Sequence, residues 1–409
     1  MARILVSAYA CEPNKGSEPE VGWQWVKNIA KEHKVCVLTK GNNKDTIEPY
    51  LQQHPDEFDN VKFIYVNIPK WISFWKKNNR GMRLYYYMWA KKAYWLAKKM
   101  HAKEKFDLVH SITFVSVTQP CYMHKLGIPF VWTIAGGENI SEKLHYPFTA
   151  KERLYELIRS FGQKRVKHSY RIKQALKKAD LLLATTEETV AILPEWCRDK
   201  TVVTSAIGIE KEMQIKDYTE RPKIRVLLSG KYTYLKAMDI GVKAILKITD
   251  RYPNVEFDVL ASGKDSEKVK SLCKGRNDDR IHFITKVKHE EMFDFLRNHD
   301  ILLNTALRDS GCLVVMEAMS VGLPVVCIDT GGVKEMTTSE TAIKVEPDEY
   351  GIVVDKLADG MEKLICDPEL RKKMGILAHQ RICNKYLYSQ KCNILLERYK
   401  NILRKQEDV

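Results

Sequence analysis

The sequence predicts an α/β protein built from two doubly wound parallel sheets, with a cleft between the two domains. Three observations lead to this prediction. The chain has 409 residues, short apolar runs rich in β-branched residues alternate with helix-length segments, and the alternation restarts once. A chain of this length is expected to hold two domains, each with its own core. The composition, 44% hydrophobic and 29% charged, excludes fibrous and disordered classes.

The first half of the chain contains six predicted strands with helical patterns between them. The strands cover residues 3–9, 34–39, 61–66, 107–110, 129–134 and 180–184. The helical patterns cover residues 19–32, 43–54, 81–104, 114–126, 151–161 and 164–178. Strands that alternate with helices are typical of βαβ units. We therefore assign residues 1–207 to an N-terminal Rossmann-like domain.

The alternation restarts after a polar, unpatterned segment between Ile207 and Lys223, where Pro222 precedes the strand-like run IRVLLS. The following strands are predicted at 224–229, 255–260, 281–284, 300–303, 324–328 and 343–345, and the helices at 236–251, 265–273, 289–297, 312–322 and 352–366. Residues 208–385 form the predicted C-terminal Rossmann-like domain. Apolar spacing over 389–404 predicts a last helix, within residues 386–409, that packs back across the domain junction.

Two observations on the whole chain bear on its location. The N-terminus lacks the length and flanking charges of a signal peptide, and lysines interrupt every apolar stretch before it could cross a bilayer. The ten cysteines contain no C-x-x-C pair, and several lie inside strand-like runs, so buried free thiols in a reducing compartment are expected. We expect a cytoplasmic protein.

The net charge of +15 is concentrated in two segments of the first half. Residues 70–105 carry +10 and residues 151–178 carry +8, so the remainder sums to −3. In the first segment, tryptophans and tyrosines are interleaved with the lysines, which is typical of a surface that contacts anionic lipid. The alternative is an aromatic core face with a solvated lysine face. Single-stranded nucleic acid could stack on the same residues, but no recognition module accompanies them, and we expect no nucleic-acid partner.

Several nucleotide motifs are missing from the sequence. No G-x-G-x-x-G follows a predicted strand, and there is neither a Walker G-x-x-x-x-G-K-[ST] motif nor a D-x-D pair. We therefore expect no nicotinamide cofactor and no metal.

Three junctions between a strand and a loop in the second half carry candidate chemistry. The first holds Gly230, Lys231 and Lys236 before a helix, where two ammonium groups and a helix N-terminus would form an anion site. In the second junction, Asp309 and Glu317 flank Gly311, Cys312 and Leu313, whose backbone N–H groups lie at the start of a helix. The third junction follows strand 324–328 and contains Gly331, Gly332 and Glu335. As alternatives, the lysines are solvated, Asp309 is a helix cap, and Glu317 is a buried structural carboxylate.

Together these junctions resemble the retaining glycosyltransferases of family 4, the group 1 glycosyltransferases of polysaccharide biosynthesis. The run DSGCLVVMEAMSVGLPVV, residues 309–326, is similar to the family signature of an acid, seven residues and a Glu. The two lysines match its G-[RK]-x4-K motif, and Gly331, Gly332 and Glu335 match G-G-x-x-E. The opening SAYACEPNKGSEPEVGW is similar to the family's glycine loop. The resemblance implies the GT-B architecture.

The resemblance also implies a role for each matching residue. Lys231 and Lys236 would neutralise the diphosphate of a nucleotide sugar, together with the N–H groups of Gly311 to Leu313 and with Gly16 of the other domain. Glu317 would bind the ribose, Asp309 would contact the transferred sugar, and the remaining glycines and Glu335 would line the donor pocket. The same fixed cations would stabilise the departing diphosphate. The implied catalytic residues are Asp309, Lys231 and Lys236.

The sequence departs from the family pattern at two places. The first acid of the signature is Asp309 where Glu is commoner, and the strand at 129–134 is followed by Ala135, Gly136, Gly137 and Glu138 where many members have a His. Gly137 and Glu138 are assigned to the acceptor side.

The sequence thus predicts a retaining, metal-independent glycosyltransferase that uses a nucleotide-diphosphate sugar and a lipid-linked glycan of a surface polysaccharide, with the N-terminal domain binding the acceptor. It would be peripheral at the inner face of the plasma membrane, held there by residues 70–105 and 151–178. Two alternatives stay open: a GT-B scaffold that binds nucleotide or membrane and has lost transfer, and a nucleotide-sugar epimerase.

Overall fold

The computed structural model describes residues 1–75, 81–263, 266–275 and 279–407 of the chain. These residues divide into two compact units. The first unit comprises Met1–Gly137, Ile158–Glu210 and Tyr388–Val409, and the second comprises Glu138–Leu157 and Lys211–Leu387. Each unit contains one parallel sheet.

The first unit is built on a seven-stranded parallel sheet with the order β3-β2-β1-β4-β5-β6-β7. The strands are β1 (Arg3–Ala8), β2 (Lys34–Lys40), β3 (Val61–Val66), β4 (Leu108–Thr113), β5 (Phe130–Ile134), β6 (Leu181–Ala184) and β7 (Thr201–Val203). In the central strand, Leu5 lies opposite Cys36 of β2 and Val109 of β4. The order reverses at β1, which is the doubly wound pattern that places ligand sites at the carboxyl ends of the strands.

Helices cover both faces of this sheet. They are α1 (Ser17–Ile29), α2 (Lys44–Gln53), α3 (Lys70–Ser73), α4 (Met82–Lys103), α6 (Tyr170–Lys178) and α7 (Glu187–Ala191), together with the end of α5 (Ala150–Lys164), whose residues up to Leu157 belong to the second unit. Trp23 of α1 lies in the core on one face, and Trp89 of α4 lies in the core on the other. Both indole rings are fully buried, since apolar residues line both faces of a parallel sheet.

The second unit repeats the pattern with a six-stranded parallel sheet of order β10-β9-β8-β11-β12-β13. The strands are β8 (Ile224–Lys231), β9 (Val255–Ser262), β10 (Ile281–Ile284), β11 (Ile301–Asn304), β12 (Val325–Ile328) and β13 (Ala342–Val345). Its helices are α8 (Met238–Thr249), α9 (Ser266–Lys270), α10 (Met292–Arg297), α11 (Leu313–Ser320), α12 (Gly331–Met336), α13 (Tyr350–Cys366) and α14 (Pro368–Lys385). The order reverses at β8, so the loops after β8 and β11 lie where ligands bind in open α/β sheets.

The last helix, α15 (Tyr388–Glu407), belongs to the first unit. Tyr399 is fully buried among the residues of α1, and its hydroxyl lies 2.6 Å from Nδ1 of His110 on β4. Lys391 is buried as well, and its ammonium donates to the carbonyl oxygens of Ser205 and Ile207. Burial lowers the pKa of Lys391 to about 7. The chain therefore returns to the first unit after α14.

The segment 138–157 differs from the sequence prediction, which placed all of residues 1–207 in one domain. It groups with the second unit, because Leu144 and Tyr146 are buried in that unit's core. The Tyr146 hydroxyl also donates to Asp239 Oδ1 at 2.8 Å. The second unit begins at Lys211, close to the predicted boundary, and ends at Leu387.

Several elements also differ from the prediction, among them the short helices α3, α7 and α12, for which no helix was predicted. Residues 114–126 do not form the predicted helix: Ser116 forms an isolated bridge with Ala135, which follows β5, and only Met123–Leu126 form a short 3-10 turn. The β-branched residues and Pro120 in this run disfavour a helix. Strand β7 and helix α14 had no predicted counterpart. In the described part of the chain, no helix is both long and apolar enough to cross a membrane.

Candidate functional site

The loops that follow β8, β11 and β12 are joined by hydrogen bonds at the carboxyl edge of the second sheet. The Thr305 hydroxyl donates to the carbonyl of Lys236 at 2.8 Å, and Leu307 N donates to the carbonyl of Leu235 at 2.9 Å. The Thr330 hydroxyl donates to the carbonyl of Ala306 at 2.9 Å. The structure therefore brings together the three junctions that the sequence singled out.

Lys236 and Asp309 form an ion pair at the centre of this edge. Both side chains are partly buried, with 22% and 23% of their surface exposed, so water screens their attraction only in part. Burial alone would raise the pKa of Asp309, but the Lys236 ammonium and the N–H groups of Gly311 and Cys312 outweigh it and hold the pKa below its usual value. Burial would lower the pKa of Lys236, and Asp309 helps to raise it instead. Both groups are therefore charged at neutral pH.

The N-terminus of α11 also faces Asp309. Gly311 N donates to Asp309 Oδ1 at 3.0 Å. Cys312 caps the helix with a positive φ of 44°, an uncommon conformation for a residue with a Cβ. Burial raises the pKa of its thiol to about 12, so Cys312 is a neutral group, and Asn304 Nδ2 donates to its sulfur at 3.2 Å. The anion that this helix end faces in the structure is the Asp309 carboxylate.

Lys231 and Gly230 lie at the end of β8. Lys231 is exposed and forms no ion pair with a described residue. A Cβ on Gly230 would lie 2.9 Å from Met238 Sδ and 3.4 Å from Cβ of Lys236. The glycine therefore leaves room for the Met238 side chain beside the strand end. Two lysines and a helix N-terminus thus share this edge, as the sequence predicted.

Gly331 and Gly332 begin helix α12; the sequence predicted a turn there that lets backbone approach a ligand. What they approach in the structure is the loop after β11. A Cβ on Gly331 would lie 2.3 Å from the carbonyl oxygen of Asp309, and one on Gly332 would lie 2.5 Å from that of Ser310. Gly332 N donates to the Asp309 carbonyl at 2.7 Å. The two glycines therefore hold the Asp309 loop against α12.

Glu335 lies on α12 and is half-buried. Its carbonyl accepts hydrogen bonds from Arg381 Nη2 at 3.1 Å and from the Tyr386 hydroxyl at 3.0 Å. These contacts join α12 to α14 and to the turn that follows it.

Glu317 is a buried carboxylic acid on α11, 6% exposed. Its side chain makes no hydrogen bond or ion pair with any residue that the structure describes. Burial raises its pKa to about 7. A carboxyl group without an internal partner is costly in a protein interior, so a purely structural role explains it poorly.

Gly16 lies in the first unit at the N-terminus of α1. Its φ of 63° and ψ of 176° fall in a region that essentially only glycine adopts, and no atom lies within 4 Å of where a Cβ would be. Asn14 and Ser17 also have positive φ values. The loop therefore needs glycine for its backbone shape, in keeping with the predicted glycine loop.

Gly137 and Glu138 are both buried. A Cβ on Gly137 would lie 2.0 Å from the carbonyl oxygen of Glu188, so close packing against α7 accounts for this glycine. The nearby His110 lies within hydrogen-bond distance of Tyr399 and Thr133, and burial lowers its pKa to about 3. These surroundings give His110 a structural role.

Sequence reasoning missed Glu156 of α5. It accepts a hydrogen bond from the Tyr234 hydroxyl at 2.6 Å and forms an ion pair with Arg308. Tyr234 lies between the two site lysines, and Arg308 precedes Asp309. Glu156 therefore joins the β8 loop to the β11 loop. The sequence does distinguish Glu156, because segment 151–178 has ten basic residues and Glu156 is one of its two acidic residues.

Within the described ranges, the group able to hold a metal ion is Glu212, His379 and Cys383. His379 Nδ1 lies 2.6 Å from the Ser320 carbonyl, and Nε2 lies 3.5 Å from Cys383 Sγ. None of the predicted site residues belongs to this group.

The comparisons with known proteins agree with this geometry. Residues 209–381 match the family described as glycosyl transferases group 1. This part of the chain is therefore similar to group 1 glycosyl transferases. It contains the three motifs, from Gly230 to Glu335, and all three junctions of the site.

Relatives with curated names match part of the chain. The chain is 26% identical over 178 residues to GDP-mannose-dependent monoacylated alpha-(1-6)-phosphatidylinositol monomannoside mannosyltransferase of Corynebacterium glutamicum, covering 42% of this chain and 44% of that protein. It is 27% identical over 243 residues to D-inositol 3-phosphate glycosyltransferase of Corynebacterium jeikeium, covering 52% of this chain and 56% of that protein. The chain thus spans roughly half of these relatives' length.

The whole chain is similar in fold to solved glycosyltransferase structures. Sucrose-phosphate synthase from Thermosynechococcus elongatus superposes with a TM-score of 0.67 at 15% identity, covering 99% of this chain and 100% of that one. At this identity the likeness shows the fold alone. The chain has the GT-B fold, with two Rossmann-like parallel-sheet domains, as the sequence predicted.

The contact between Gly332 and the Asp309 loop gives a stability prediction for the second unit. A Gly332→Ala substitution forces a Cβ against the Ser310 carbonyl and should destabilise the domain by about 1–3 kcal/mol. We expect the thermal midpoint to fall by roughly 2–10 °C in calorimetry. Gly351→Ala on α13 is the matched control, since nothing lies within 4 Å of that Cβ. Equal midpoints for the two variants would contradict the packing role.

Proposed function

We propose that the protein is a retaining glycosyltransferase that moves a sugar from a nucleotide-diphosphate sugar to an acceptor. The observation that carries the proposal is the Lys236–Asp309 ion pair at the N-terminus of α11, within the residues that match group 1 glycosyl transferases. A cation and free helix-end N–H groups at one point form an anion site. The names of the curated relatives, both glycosyltransferases, support the same reaction class.

The donor diphosphate would take the position of the Asp309 carboxylate. Its oxygens would accept from Lys236 Nζ and from Gly311 N, the two groups that Asp309 now engages. Lys231, exposed at the end of β8, would add a second positive charge. Released from Lys236, the Asp309 carboxylate would accept hydrogen bonds from hydroxyls of the transferred sugar. Cys312, Leu313, Gly331, Gly332 and Glu335 would complete the part of the donor pocket that lies in this unit.

Glu317 would bind the ribose of the donor nucleotide. As a carboxylate it can accept hydrogen bonds from two neighbouring hydroxyls, and its side chain has no competing partner among the described residues. Binding would supply hydrogen bonds to a carboxyl group that forms none with a described residue. This role explains why an acidic residue stands at a position where burial disfavours its charged form.

The reaction would proceed on one face of the sugar. The bond between the anomeric carbon and the diphosphate oxygen breaks, and the acceptor oxygen bonds to the same face. The acceptor proton passes to the departing phosphate oxygen, so no protein base is needed. Negative charge develops on the diphosphate, where Lys231, Lys236 and the α11 N-terminus stabilise it. These fixed charges would perform the task without a metal ion.

The acceptor would be a lipid-linked glycan at an anionic membrane surface. Helix α5 supports this part of the proposal, because its apolar stripe is 58–68% exposed at Leu154, Leu157, Ile158 and Phe161. Apolar residues at this spacing form one face of a helix. Exposed apolar residues flanked by lysines and arginines suit the headgroup boundary of a bilayer.

The segment 70–105 offers a second such surface. Trp71 and Phe74 are each 78% exposed, and Trp95 is 58% exposed. Tyr85, Tyr86 and Trp89 of the same segment are buried, so part of its aromatic content is core, as the alternative interpretation held. Residues 76–80, with Lys76, Lys77 and Arg80, lie outside the described residues. We propose that both segments hold the protein at the inner face of the plasma membrane.

Substitution of Lys236 tests the donor site. Lys236→Met should reduce sugar release from its preferred donor, found in a panel of UDP- and GDP-sugars, by at least about 100-fold, the usual loss on removing one transition-state charge contact. Lys247→Met is the control, because Lys247 also pairs with an aspartate of this unit, Asp355, but both side chains are at exposed positions, on α8 and α13. Circular dichroism would confirm that both variants fold. Normal turnover by Lys236→Met would refute the assignment.

Substitution of the exposed apolar residues tests membrane contact. The double variant Leu157→Ser, Phe161→Ser should lose most of its co-sedimentation with vesicles that contain phosphatidylglycerol, because the inserted apolar surface is removed. Ile394→Ser on α15, which is 60% exposed, serves as the control and should bind as the unmodified protein does. Undiminished binding of the double variant would show that α5 does not contact the bilayer.

A further inference from the structure

A basic cavity in the first unit is not used by the donor site. Its volume is about 290 Å³. Three arginines line it, together with hydroxyl and amide side chains, and none of the lining residues is acidic. The basic and polar lining includes Arg83, Ser116, Thr118, Arg159, Gln163 and Arg165.

The cavity lies at the carboxyl edge of the first sheet. Ser116 follows β4, and Gly136 follows β5. Ser116 bridges Ala135, so the two loops run side by side. Ligands of doubly wound sheets bind at this edge. The cavity is therefore placed where a substrate of the first unit would bind.

Helix α5 and the turn after it bring two of the arginines to the cavity. Gln163 Nε2 donates to the Gly136 carbonyl at 2.6 Å, and Arg159 Nη2 donates to the same oxygen at 3.4 Å. These bonds fix the helix against the β5 loop. The side chains of Arg159 and Gln163 thus position the backbone at Gly136, and they also line the cavity.

Two of the cavity arginines have no acidic partner among the described residues. Neither Arg83 nor Arg165 forms an ion pair with a described acid, and the Arg165 guanidinium lies 5.7 Å from the centre of the Phe161 ring. Both arginines are exposed, and each guanidinium group presents several N–H donors to a ligand. The three arginines, together with the hydroxyl groups of Ser116 and Thr118, suit a ligand that carries more than one negative charge.

We propose that this cavity binds a phosphate group of the acceptor substrate. The inference rests on the proposed function, since it assigns the acceptor of that reaction. Arginine binds phosphate oxygens through paired hydrogen bonds, and Ser116 and Thr118 can donate to the remaining oxygens. A phosphate monoester or diphosphate carries the charge that several arginines match, whereas a carboxylate carries one. The phosphate belongs either to a lipid headgroup or to a soluble sugar phosphate.

Binding of a simple phosphomonoester tests the proposal on the full-length protein. Glycerol 1-phosphate is titrated by calorimetry with UDP or GDP present at saturation, so that the donor lysines are occupied. Arg83→Gln, Arg165→Gln should weaken binding by at least about 10-fold, which is the loss of about one charge-assisted hydrogen bond. The control is Lys151→Gln, Arg153→Gln, which removes the same charge from exposed positions outside the cavity. Equal affinities of the two double variants for glycerol 1-phosphate would overturn the proposal. It would also be overturned if the unmodified protein bound neither glycerol 1-phosphate nor the vesicles described below.

A vesicle arm identifies the source of the phosphate. If the phosphate is a lipid headgroup, the cavity variant should lose binding to vesicles containing phosphatidic acid more than the control does. If it is soluble, the cavity variant and the control variant, which each remove two positive charges from the proposed membrane segments, should bind these vesicles equally and differ only in their affinity for glycerol 1-phosphate. Hydrolysis of the donor in the absence of acceptor is measured on the unmodified protein. A protein that binds the phosphomonoester but never hydrolyses a donor would refute the proposed function and leave the cavity assignment standing.

Discussion

The close contact between the loop 309–311 and the first turn of α12 is the constraint on which the candidate site depends. It is possible only because Gly331 and Gly332 have no side chains. The contact fixes the backbone of Asp309, and the Asp309 carboxylate then faces Lys236 and the N-terminus of α11. The hydrogen bonds of Thr305 and Thr330 add the neighbouring loops to the same unit. One packing contact therefore sets the relative positions of the cation, the carboxylate and the helix end.

The burial of the Glu317 carboxyl group on α11 disfavours the folded state. Burial raises the pKa of Glu317 to about 7, above the value of an exposed glutamate. A group whose pKa is raised on folding binds more protons in the folded protein, so its contribution to stability falls as pH rises from about 4.5 to 7. Above pH 7 the domain carries the full cost of an ionised buried carboxylate. Such a cost is typical of binding sites, where a ligand supplies the missing hydrogen bonds.

Much of this architecture could be predicted from the sequence because it depends on local patterns. Apolar runs of strand length identified the six strands of the second sheet, and the motif spacings placed Lys236, Asp309 and Glu317 at the carboxyl edge of that sheet. The contacts that bring these residues together could not be predicted in the same way. The true neighbours of Gly331 and Gly332, and the bonds of Glu156 to Tyr234 and Arg308, join residues far apart in the chain. Segment 138–157 changes units through the burial of Leu144 and Tyr146, which no local pattern indicates. The helix predicted at 114–126 failed because pairing with the next strand outweighed an ambiguous apolar pattern.

The affinity of a nucleoside diphosphate for the Glu317→Gln variant tests the central claim most directly. If Glu317 binds the ribose, the variant should bind UDP or GDP at least about 10-fold more weakly, the loss expected for hydrogen bonds to a charged group. It should bind inorganic pyrophosphate as the unmodified protein does. Because the carboxylate form binds and burial holds its pKa near 7, nucleotide affinity should rise from about pH 6 to about pH 8 more steeply in the unmodified protein than in the variant. Equal nucleotide affinity and equal pH dependence in the two proteins would contradict the account.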